Sequence, residues 1–293
     1  GALAGVAEAS RALRETLASE YPGLKLYADY KDALQTDIQA VAIATPVPTH
    51  YPIARDAILA GKDVFVEKPL TLSTEEAESL DAMAREHNRV LMVGHLLLYH
   101  PAIQTMKKLL DQGVIGQLRA LHQDRMKLGR ARSVENVLWS FGVHDVAVFL
   151  YLTGNSPVAI EATGQRICQP EIEDDVYLHL VFGNQVKAHL HTSWLWPDVQ
   201  RKLIAVGTNG ILVYDEKSQT LTLHRKGIKQ DLSNRDEGAE IVLKVDEQPL
   251  KLECEHFLSC VSEKKQPISD GKNGIEVIRV LEEASKKLSA RQI

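Results

Sequence analysis

A lysine with two unusual neighbours ends one of the apolar runs of this sequence. In "DVFVEKPLT" the apolar letters are followed by Glu67, Lys68 and Pro69. Proline lacks a backbone donor and keeps the residue before it out of helical space, so Lys68 is expected in an extended or turn geometry. A lysine in a partly desolvated cleft near another positive charge has a lowered pKa and can hydrogen-bond or deprotonate a hydroxyl. The competing interpretation, a solvated lysine at a strand edge, is the commoner one for a lysine taken alone.

Polar residues also end two other apolar runs. Glu8 follows "LAGVA", and Thr45 and Pro46 follow "AVAIA" before the chain enters a helix. An acid at the end of the second strand of a dinucleotide-binding fold accepts hydrogen bonds from the adenosine ribose and repels a 2′-phosphate. A helix N-terminus receives a negatively charged or polar group. Both patterns also have ordinary explanations, a solvated acid before a helix and prolines that only shape a turn.

A histidine and an aspartate, His144 and Asp145, stand where "ENVLWSFGVHDVAVFLYLTG" changes from a loop to an apolar helix. Imidazole has an unperturbed pKa near neutrality, so a histidine suits proton transfer. A lone histidine at a helix start is more often a capping or packing residue. The catalytic interpretation of His144 therefore depends on a partner, for which Lys68 is the candidate.

The residues before about position 96 alternate between strands and helices. Short apolar runs, "ALAGVAE", "LKLYA", "AVAIAT", "DVFVEK" and "RVLMVG", are separated by amphipathic segments, which is typical of βαβ units with a parallel sheet. Thr49 is predicted to cap a helix that stops at Gly61, and Ser73 with Glu76 predicts a capping box for the next helix. In such sheets ligands bind at the carboxyl ends of the strands.

The remaining residues, 97–293, have longer strands. A helix is predicted over about 101–113, followed by the strand "QLRALHQDRM" and a helix that starts near Val143. Runs with a two-residue period, such as "DVYLHLVF" and "VKAHLHTSW", predict a mostly antiparallel open sheet, and the "NG" of "GTNGILVY" predicts a hairpin. Two amphipathic helices follow. The predicted fold class is α/β, with a parallel-sheet domain over 1–96 and a domain with a large open sheet over 97–293.

Composition and charge narrow the choice of partners. The 293 residues are 44% hydrophobic and carry a formal charge of -5 spread along the chain, which favours a small-molecule partner over nucleic acid or a membrane surface. No apolar run is long enough to span a bilayer, and no signal-peptide layout is seen. Three cysteines without CxxC spacing predict reduced thiols and a cytoplasmic protein. No metal site is predicted, because the strand histidines His179, His189 and His191 come with no further ligand that can be placed.

Two runs at a fixed spacing carry a family resemblance. "ATPVPTH" and then "AGKDVFVEKPL" resemble the A-T-P-x-x-T-H and A-G-K-x-V-x-x-E-K-P-L runs of the Gfo/Idh/MocA oxidoreductases. "GHLLLYHPAI", the "HD" helix and "ECEHFLSCV" look like later parts of that family, so the resemblance covers essentially the whole chain. It implies a Rossmann domain followed by an α/β domain whose open sheet makes homo-oligomer contacts, in a dimer or a tetramer.

The resemblance also implies roles for individual residues. Lys68 matches the lysine that contacts nicotinamide and substrate, with a cis peptide bond to the following proline. His144 matches the histidine proposed as proton acceptor, and Glu8 matches the ribose-binding acid. The other positions that match cofactor contacts are Thr45, Pro46, His50, Glu67 and Pro69.

Three departures from the family pattern are visible. The glycine-rich phosphate loop is expected about 20 residues before the ribose acid, whereas seven residues precede Glu8, so we expect a fragment that begins inside the fold rather than an incomplete binding fold. Ser140 stands where many relatives have the Asp of a D-x-x-x-H pair, so His144 and Lys68 would share the proton transfer. Leu98 stands where many relatives have the Arg of "GxxxRF", so substrate contacts should differ.

The segment "GRARSVENVLWSFGVHD" is most similar to the branch with nucleotide-sugar 3-dehydrogenases that act on UDP-linked acidic amino sugars. Guanidinium groups bind phosphate and carboxylate bidentately, so a basic loop is a candidate substrate contact, with a solvated charged loop as the alternative. Asn136, Trp139 and Ser140 are further candidates for the sugar, although Trp139 could be a core residue. The basic loop comprises Arg125, Lys127, Arg130 and Arg132.

The sequence thus predicts an NAD-dependent oxidoreductase that moves hydride to or from a ring carbon of a sugar or nucleotide sugar. Glu8 favours NAD over NADP, although Arg11 and Arg14 nearby weaken that preference. Two alternatives stay open. One is an NAD-dependent glycosidase of the same family, which would release free sugar without net reduction of the cofactor. The other is a non-catalytic ligand-binding or regulatory paralogue, which Ser140 makes tenable.

Overall fold

Parallel strands connected by helices make up the chain as far as Gly94, as the alternating pattern predicts. The computed structural model describes residues 2–246 and 248–290. One unit consists of the residues up to Gly94 together with Cys254–Ile275, which we call the returning segment, and the other of His95–Glu253 and the residues from Glu276 on. The predicted boundary at 96/97 lies next to the first division, but the returning segment is not part of that prediction.

Two small parallel sheets organise the first unit, and their strands coincide with the five predicted apolar runs. The middle strand of the larger sheet is buried at Val64, Phe65 and Val66, as expected for a parallel strand covered on both faces. Because its neighbours run parallel to it, the chain leaves all three strands at one edge, where ligands bind in such sheets. The smaller sheet pairs β1 (Gly5–Ala7) with β2 (Lys25–Tyr27), and the larger has the order β3 (Ala40–Ile43), β4 (Asp63–Glu67), β5 (Leu91–Gly94).

Of the two helix caps predicted in this unit, one is confirmed and one is wrong. Ser73 Oγ accepts the Glu76 N–H at 3.2 Å, which is the N-cap half of the predicted capping box. Thr49 precedes its helix but makes no side-chain cap bond, so that part of the prediction is wrong. Thr49 is already helical in its backbone, and its hydroxyl lies 2.7 Å from the Pro46 carbonyl instead. The helices are α1 (Arg11–Glu20), α2 (Tyr30–Leu34), α3 (His50–Leu59) and α4 (Thr74–Glu86).

The returning segment closes the first unit beside β5. Ser269 Oγ donates to the Val93 carbonyl at 2.6 Å, and the Val93 N–H donates to the Ser269 carbonyl at 2.8 Å. Asp63, which is 1% exposed, accepts the Val90 N–H at 2.8 Å and the Lys264 ammonium at 2.7 Å. A buried carboxylate thus ties the first residue of β4 to the returning segment.

One large sheet dominates the second unit. Its strands are β6 (Leu118–Met126), β7 (Pro157–Gln165), β8 (Asp175–Phe182), β9 (Lys187–Ser193), β10 (Gln200–Gly207), β11 (Ile211–Asp215), β12 (Thr220–Ile228) and β13 (Asn234–Lys244). They lie in the order β13-β12-β11-β10-β6-β9-β8-β7, and among the described strands of this sheet only β6 and β9 run parallel to each other. The predicted mostly antiparallel sheet is therefore confirmed. The predicted "NG" hairpin is the turn between β10 and β11.

The two-residue period of these strands gives the large sheet a buried face and an open face. Leu121 and Leu190 lie on the buried face. On the open face the ring centre of His189 lies 5.0 Å from those of His122 and His179. The helices of the rest of the chain are α5 (Pro101–Asp111), α6 (Val143–Thr153), α7 (Pro249–Glu263) and α8 (Gly271–Ala290).

No helix within residues 2–246 and 248–290 combines the length and the apolar character needed to cross a bilayer.

Loss of the Asp63 charge should destabilise the first unit. In Asp63→Asn the side chain can still accept the Val90 N–H but no longer pairs with the Lys264 ammonium, which should lower the free energy of unfolding by about 1–3 kcal/mol. Denaturant unfolding measures this change. Glu240→Gln is the matched control because Glu240 pairs with Arg225 on the surface, where the loss should be below about 1 kcal/mol. Equal losses in the two variants would contradict the assigned role of Asp63.

Candidate active site

Strand β4 ends in a turn that carries Lys68. The peptide bond between Lys68 and Pro69 is cis, as the family resemblance implies. Glu67 Oε2 accepts the Lys68 N–H at 3.2 Å. A Cβ on Gly94, at the end of β5, would lie 2.9 Å from the same oxygen, so glycine leaves the room that this carboxylate occupies. Lys68 is half-buried at the carboxyl edge of the sheet.

His50 links the ends of β3 and β4. Its side chain is 1% exposed, with Nδ1 2.9 Å from the Pro69 carbonyl and Nε2 2.8 Å from the Thr45 carbonyl. Both partners are acceptors, so a neutral ring donates to one of them, and which one depends on the tautomer. Four predicted cofactor residues are thereby brought into one region, since Pro46 follows Thr45 directly.

Glu8 follows β1, in the smaller sheet. Its Oε1 accepts the Ser10 N–H at 2.7 Å. The two nearby arginines point to other partners: Arg14 donates to the backbone carbonyl of Glu8 at 2.6 Å, and Arg11 lies 2.8 Å from the Glu15 carboxylate. Glu8 is therefore at the carboxyl end of a parallel strand, as its predicted role requires, but in a different sheet from the lysine.

In the second unit, His144 lies in the first turn of α6 and is half-buried. The chain enters this helix through a π-helical turn, Leu138–Gly142, and no side chain caps the helix start. Such turns frequently occur at functional sites. A Cβ on Gly142 would lie 3.1 Å from the Leu190 side chain, so the turn packs closely against β9.

Three predicted substrate residues make hydrogen bonds inside the second unit. All three are half-buried, and their polar atoms bond to other residues of the protein. Their contact with a sugar stays a prediction. The Ser140 hydroxyl accepts a hydrogen bond from the indole of Trp194. The bonds run from Trp194 Nε1 to Ser140 Oγ at 3.2 Å, from Trp139 Nε1 to Ser285 Oγ at 2.9 Å, and from Asn136 Nδ2 to Glu173 Oε2 at 2.8 Å.

Arg125, predicted as the first residue of the basic loop, lies on β6 instead. Its Nε donates to both carboxylate oxygens of Asp145, at 2.9 and 2.7 Å, and its Nη2 donates to Glu216 at 2.6 Å. Arg125 is 6% exposed, so two carboxylates of the protein itself match its charge. This pairing weighs against the predicted substrate contact.

Burial and ion pairing shift the pKa of Asp145 and of Glu216 in opposite directions. Burial raises the pKa of Asp145 to about 6, although the neighbouring Arg125 opposes the shift. Burial also acts to raise the pKa of Glu216, but Arg125 and Arg201 together outweigh it and hold that pKa below its usual range. Both acids are therefore mainly ionised at neutral pH, which keeps the ion pairs charged.

The remaining cations of the basic loop are more accessible. Arg130 and Arg132 are exposed, and Arg132 Nε lies 3.7 Å from Glu135. Lys127 is half-buried, with its ammonium 5.6 Å from the centre of the Phe141 ring, a cation–π contact. Since Phe141 belongs to the π-helical turn, the start of the loop lies next to the entry to α6.

The sequence contained a signal for the partners of Arg125 that the prediction missed. In "LRALHQDRM" Arg125 has the same phase as Leu121 and Gln123, which places it on the buried face. A buried arginine needs carboxylate partners, and Asp145 stands at the start of an apolar helix. Glu216 carries no such signal, because only the pairing of β10 with β6 and β11 brings it near Arg125.

Comparison with known proteins shows the family of this chain. The model of the GFO/IDH/MocA oxidoreductase family, NAD-binding Rossmann fold, matches residues 2–95, and the model of the GFO/IDH/MocA C-terminal domain matches residues 103–213. UDP-N-acetylglucosamine 3-dehydrogenase of Acidithiobacillus ferrooxidans is 30% identical over 251 residues, which are 84% of this chain and 78% of that protein. A solved structure of that enzyme covers 98% of this chain and 90% of its own, with 28% identity and a TM-score of 0.87.

Two further relatives differ in the cofactor that their names give. The scyllo-inositol 2-dehydrogenase (NAD(+)) of Bacillus subtilis is 27% identical over 79% of this chain and 70% of that protein. The D-xylose 1-dehydrogenase [NADP(+)] of Haloarcula marismortui is 24% identical over 89% of this chain and 76% of that protein. The predicted fold class and family are confirmed by these matches. The chain belongs to the GFO/IDH/MocA family of oxidoreductases, with a Rossmann domain that binds a nicotinamide dinucleotide.

Proposed function

We propose that this protein is an NAD(H)-dependent dehydrogenase that moves hydride to or from a ring carbon of a sugar or nucleotide sugar. The observation that carries the proposal is the placement of Lys68, which is half-buried in the turn after β4. His50 connects this turn to the end of the neighbouring parallel strand β3. The name of one relative, a UDP-N-acetylglucosamine 3-dehydrogenase, supports the substrate class, and the name of another, a scyllo-inositol 2-dehydrogenase, supports reaction at a ring carbon.

The residues of the first unit fit a nicotinamide dinucleotide at its ribose and ring ends. Glu8 offers a carboxylate to a ribose diol. Thr45 and Pro46 form the turn before α3, and Lys68 offers an ammonium at the same edge of the sheet. When bound, the nicotinamide ring supplies the acceptor or the donor of the hydride.

Lys68 and His144 divide the work on the reacting alcohol. Lys68 hydrogen-bonds the reacting oxygen, which orients the carbon that loses hydride, and its charge stabilises negative charge on that oxygen. In oxidation the C–H electron pair leaves as hydride, the O–H proton passes to the His144 imidazole, and a carbonyl remains. Ser140 cannot act as a base at neutral pH, so His144 and Lys68 carry the proton transfer without an adjacent acid at that position.

Glu8 favours NAD as the cofactor. A carboxylate near the ribose repels the 2′-phosphate of NADP. The two arginines that could have attracted that phosphate have partners of their own, since Arg14 binds backbone carbonyls and Arg11 pairs with Glu15. Arg11 and Arg14 therefore weaken the preference for NAD over NADP less than the sequence alone indicates.

We also propose that the protein is a homo-oligomer and lies in the cytoplasm, as the sequence predicts. The open face of the large sheet is the proposed contact in a homo-oligomer. Cys168, Cys254 and Cys260 are in no disulfide bond, as expected for a protein in a reducing compartment such as the cytoplasm.

Two alternatives can be separated from this proposal by product analysis. An NAD-dependent glycosidase would release free sugar with no net reduction of the cofactor. A non-catalytic paralogue would bind a ligand without turnover, and its biological role would survive replacement of Lys68.

Replacement of Lys68 should remove turnover without unfolding the protein. In Lys68→Ala, kcat with a responsive sugar should fall about 10²- to 10⁴-fold, since the group that orients and polarises the reacting oxygen is lost. The absorbance of reduced nicotinamide during turnover measures this. Lys31→Ala, at an exposed lysine of the same unit, is the control and should be fully active. Undiminished turnover in Lys68→Ala would reject the proposed role.

Replacement of Glu8 should change the choice of cofactor. In Glu8→Ser, the affinity for NAD should fall about tenfold, because a charged hydrogen-bond acceptor for the ribose is lost, while the affinity for NADP should hold or rise. Calorimetric titration with each cofactor measures the two affinities. Glu20→Gln removes the same charge at the exposed far end of α1 and should leave the ratio unchanged. A parallel loss of NAD and NADP affinity would contradict the ribose assignment.

The basic loop should matter only for substrates that carry phosphate. In Arg130→Ala combined with Arg132→Ala, KM for a nucleotide sugar should rise about tenfold with kcat unchanged, because cations for the phosphates are lost. KM for the corresponding sugar without nucleotide should stay the same. Arg225→Ala, at another exposed arginine, is the control. Equal KM changes for both substrates would rule out phosphate recognition by the loop.

A further inference from the structure

Arg125, Asp145 and Glu216 form a buried ion network, which we call the Arg125 network. Their side chains are 8%, 1% and 13% exposed, and the guanidinium nitrogens lie 2.6–2.9 Å from the carboxylate oxygens. Arg201 adds a second cation at 3.3 Å from Glu216. Two cations thus face two anions, and the network is electrically balanced without a ligand.

The Arg125 network joins three elements of the second unit. Arg125 stands on β6, Asp145 in the first turn of α6, and Glu216 directly after β11. The Glu216 N–H donates to the Arg201 carbonyl at 3.0 Å, and Arg201 on β10 is the register partner of Arg125. The paired strands therefore hold Arg125 and Glu216 in place, and Asp145 is the point at which α6 is attached to them.

The start of α6 continues from the π-helical turn, Leu138–Gly142, in which the backbone is already helical. Gly142 therefore contributes no side-chain cap that would fix the first turn of α6. Arg125 Nε, which donates to both carboxylate oxygens of Asp145, adds a constraint in this turn. His144 is the residue directly before Asp145, so a displacement of one moves the other.

Stability alone does not explain a buried ion network. Replacement of such networks by apolar residues of similar volume is often neutral or stabilising. An arginine fork, however, fixes direction as well as distance, because its donors lie in one plane at set angles. A catalytic group needs this kind of constraint, since a displacement of about 1 Å can reduce the rate about 10²-fold.

We propose that Arg125 is a positioning residue for His144 and acts through Asp145. This inference rests on the proposed function, in which His144 transfers the proton. Arg125 contacts neither substrate nor cofactor in this role, and Glu216 keeps the guanidinium plane oriented toward Asp145.

The variant Arg125→Lys tests the role of the fork. Lysine keeps the charge but cannot span both carboxylates in one plane. We expect kcat to fall about 10- to 100-fold, with KM for the sugar changed less than about threefold, because the substrate still binds but the proton acceptor is displaced. A purely structural role would lower the unfolding midpoint and leave kcat of the folded enzyme unchanged, and that result would overturn the proposal.

A second readout does not depend on turnover. In the full chain with isotope-labelled histidine, the NMR signal of the His144 ring is assigned by its loss in His144→Gln. This signal should shift or broaden in Arg125→Lys. It should stay in place in Asp63→Asn, which breaks the ion pair of a buried carboxylate in the first unit and serves as the control. A His144 signal that moves in neither variant would overturn the proposal.

The two readouts allow this inference and the proposed function to fail separately. If the wild-type chain oxidises no sugar but the His144 signal still moves in Arg125→Lys alone, the positioning contact stands and the proposed function fails. If Arg125→Lys does not fold, Glu216→Gln is the second variant, since it keeps an acceptor for Arg125 but removes the charge at the far end of the network. The same signal should then move by a smaller amount, and an unmoved signal would overturn the proposal.

Discussion

A single buried imidazole between two backbone carbonyls sets the geometry of the candidate site in the first unit. His50 lies between the carbonyls of Thr45 and Pro69, and these belong to the turns that follow two neighbouring parallel strands. Parallel pairing brings the strand ends to one edge, but it does not fix the irregular turns beyond them. The ring nitrogens lie within 2.9 Å of both carbonyl oxygens, so the buried ring fixes the distance between the two turns. The position of Lys68, one residue before Pro69, depends on this contact.

In the second unit a guanidinium, rather than an imidazole, connects the elements next to the proposed catalytic residue. A guanidinium on the sheet holds a carboxylate in the first turn of a helix, and the residue beside that carboxylate is His144. In both units, the proposed catalytic side chain is next in sequence to a residue with buried polar contacts to other elements. In a low dielectric a hydrogen bond between buried groups is strong, and a buried polar group that lacks a partner is unfavourable. These contacts hold the backbone next to Lys68 and next to His144 without a bound ligand.

Local pattern was enough to predict most of the fold but not the contacts that complete it. The five apolar runs of the first unit, the Ser73 cap and the "NG" hairpin were predictable because each depends on residues close together in sequence. The returning segment was not, because Ser269 and Lys264 contact Val93 and Asp63 across more than half of the chain. The residue type of Thr49 predicts a cap, whereas the preceding 3-10 turn already makes its backbone helical. The charge of Arg125 groups it with a basic loop, although its phase along the strand places it on the buried face.

We propose that this protein transfers hydride between a sugar ring carbon and nicotinamide, with Lys68 at the reacting oxygen. Isotope transfer tests it most directly. Sugars and nucleotide sugars with deuterium at the ring carbons are incubated with NAD and the wild-type chain, and the reduced cofactor is analysed by mass spectrometry. We predict deuterium at nicotinamide C4, and a rate of its appearance that collapses when Lys68 is replaced by Met. Product formation without deuterium in the cofactor, or an unchanged rate in Lys68→Met, would contradict the claim.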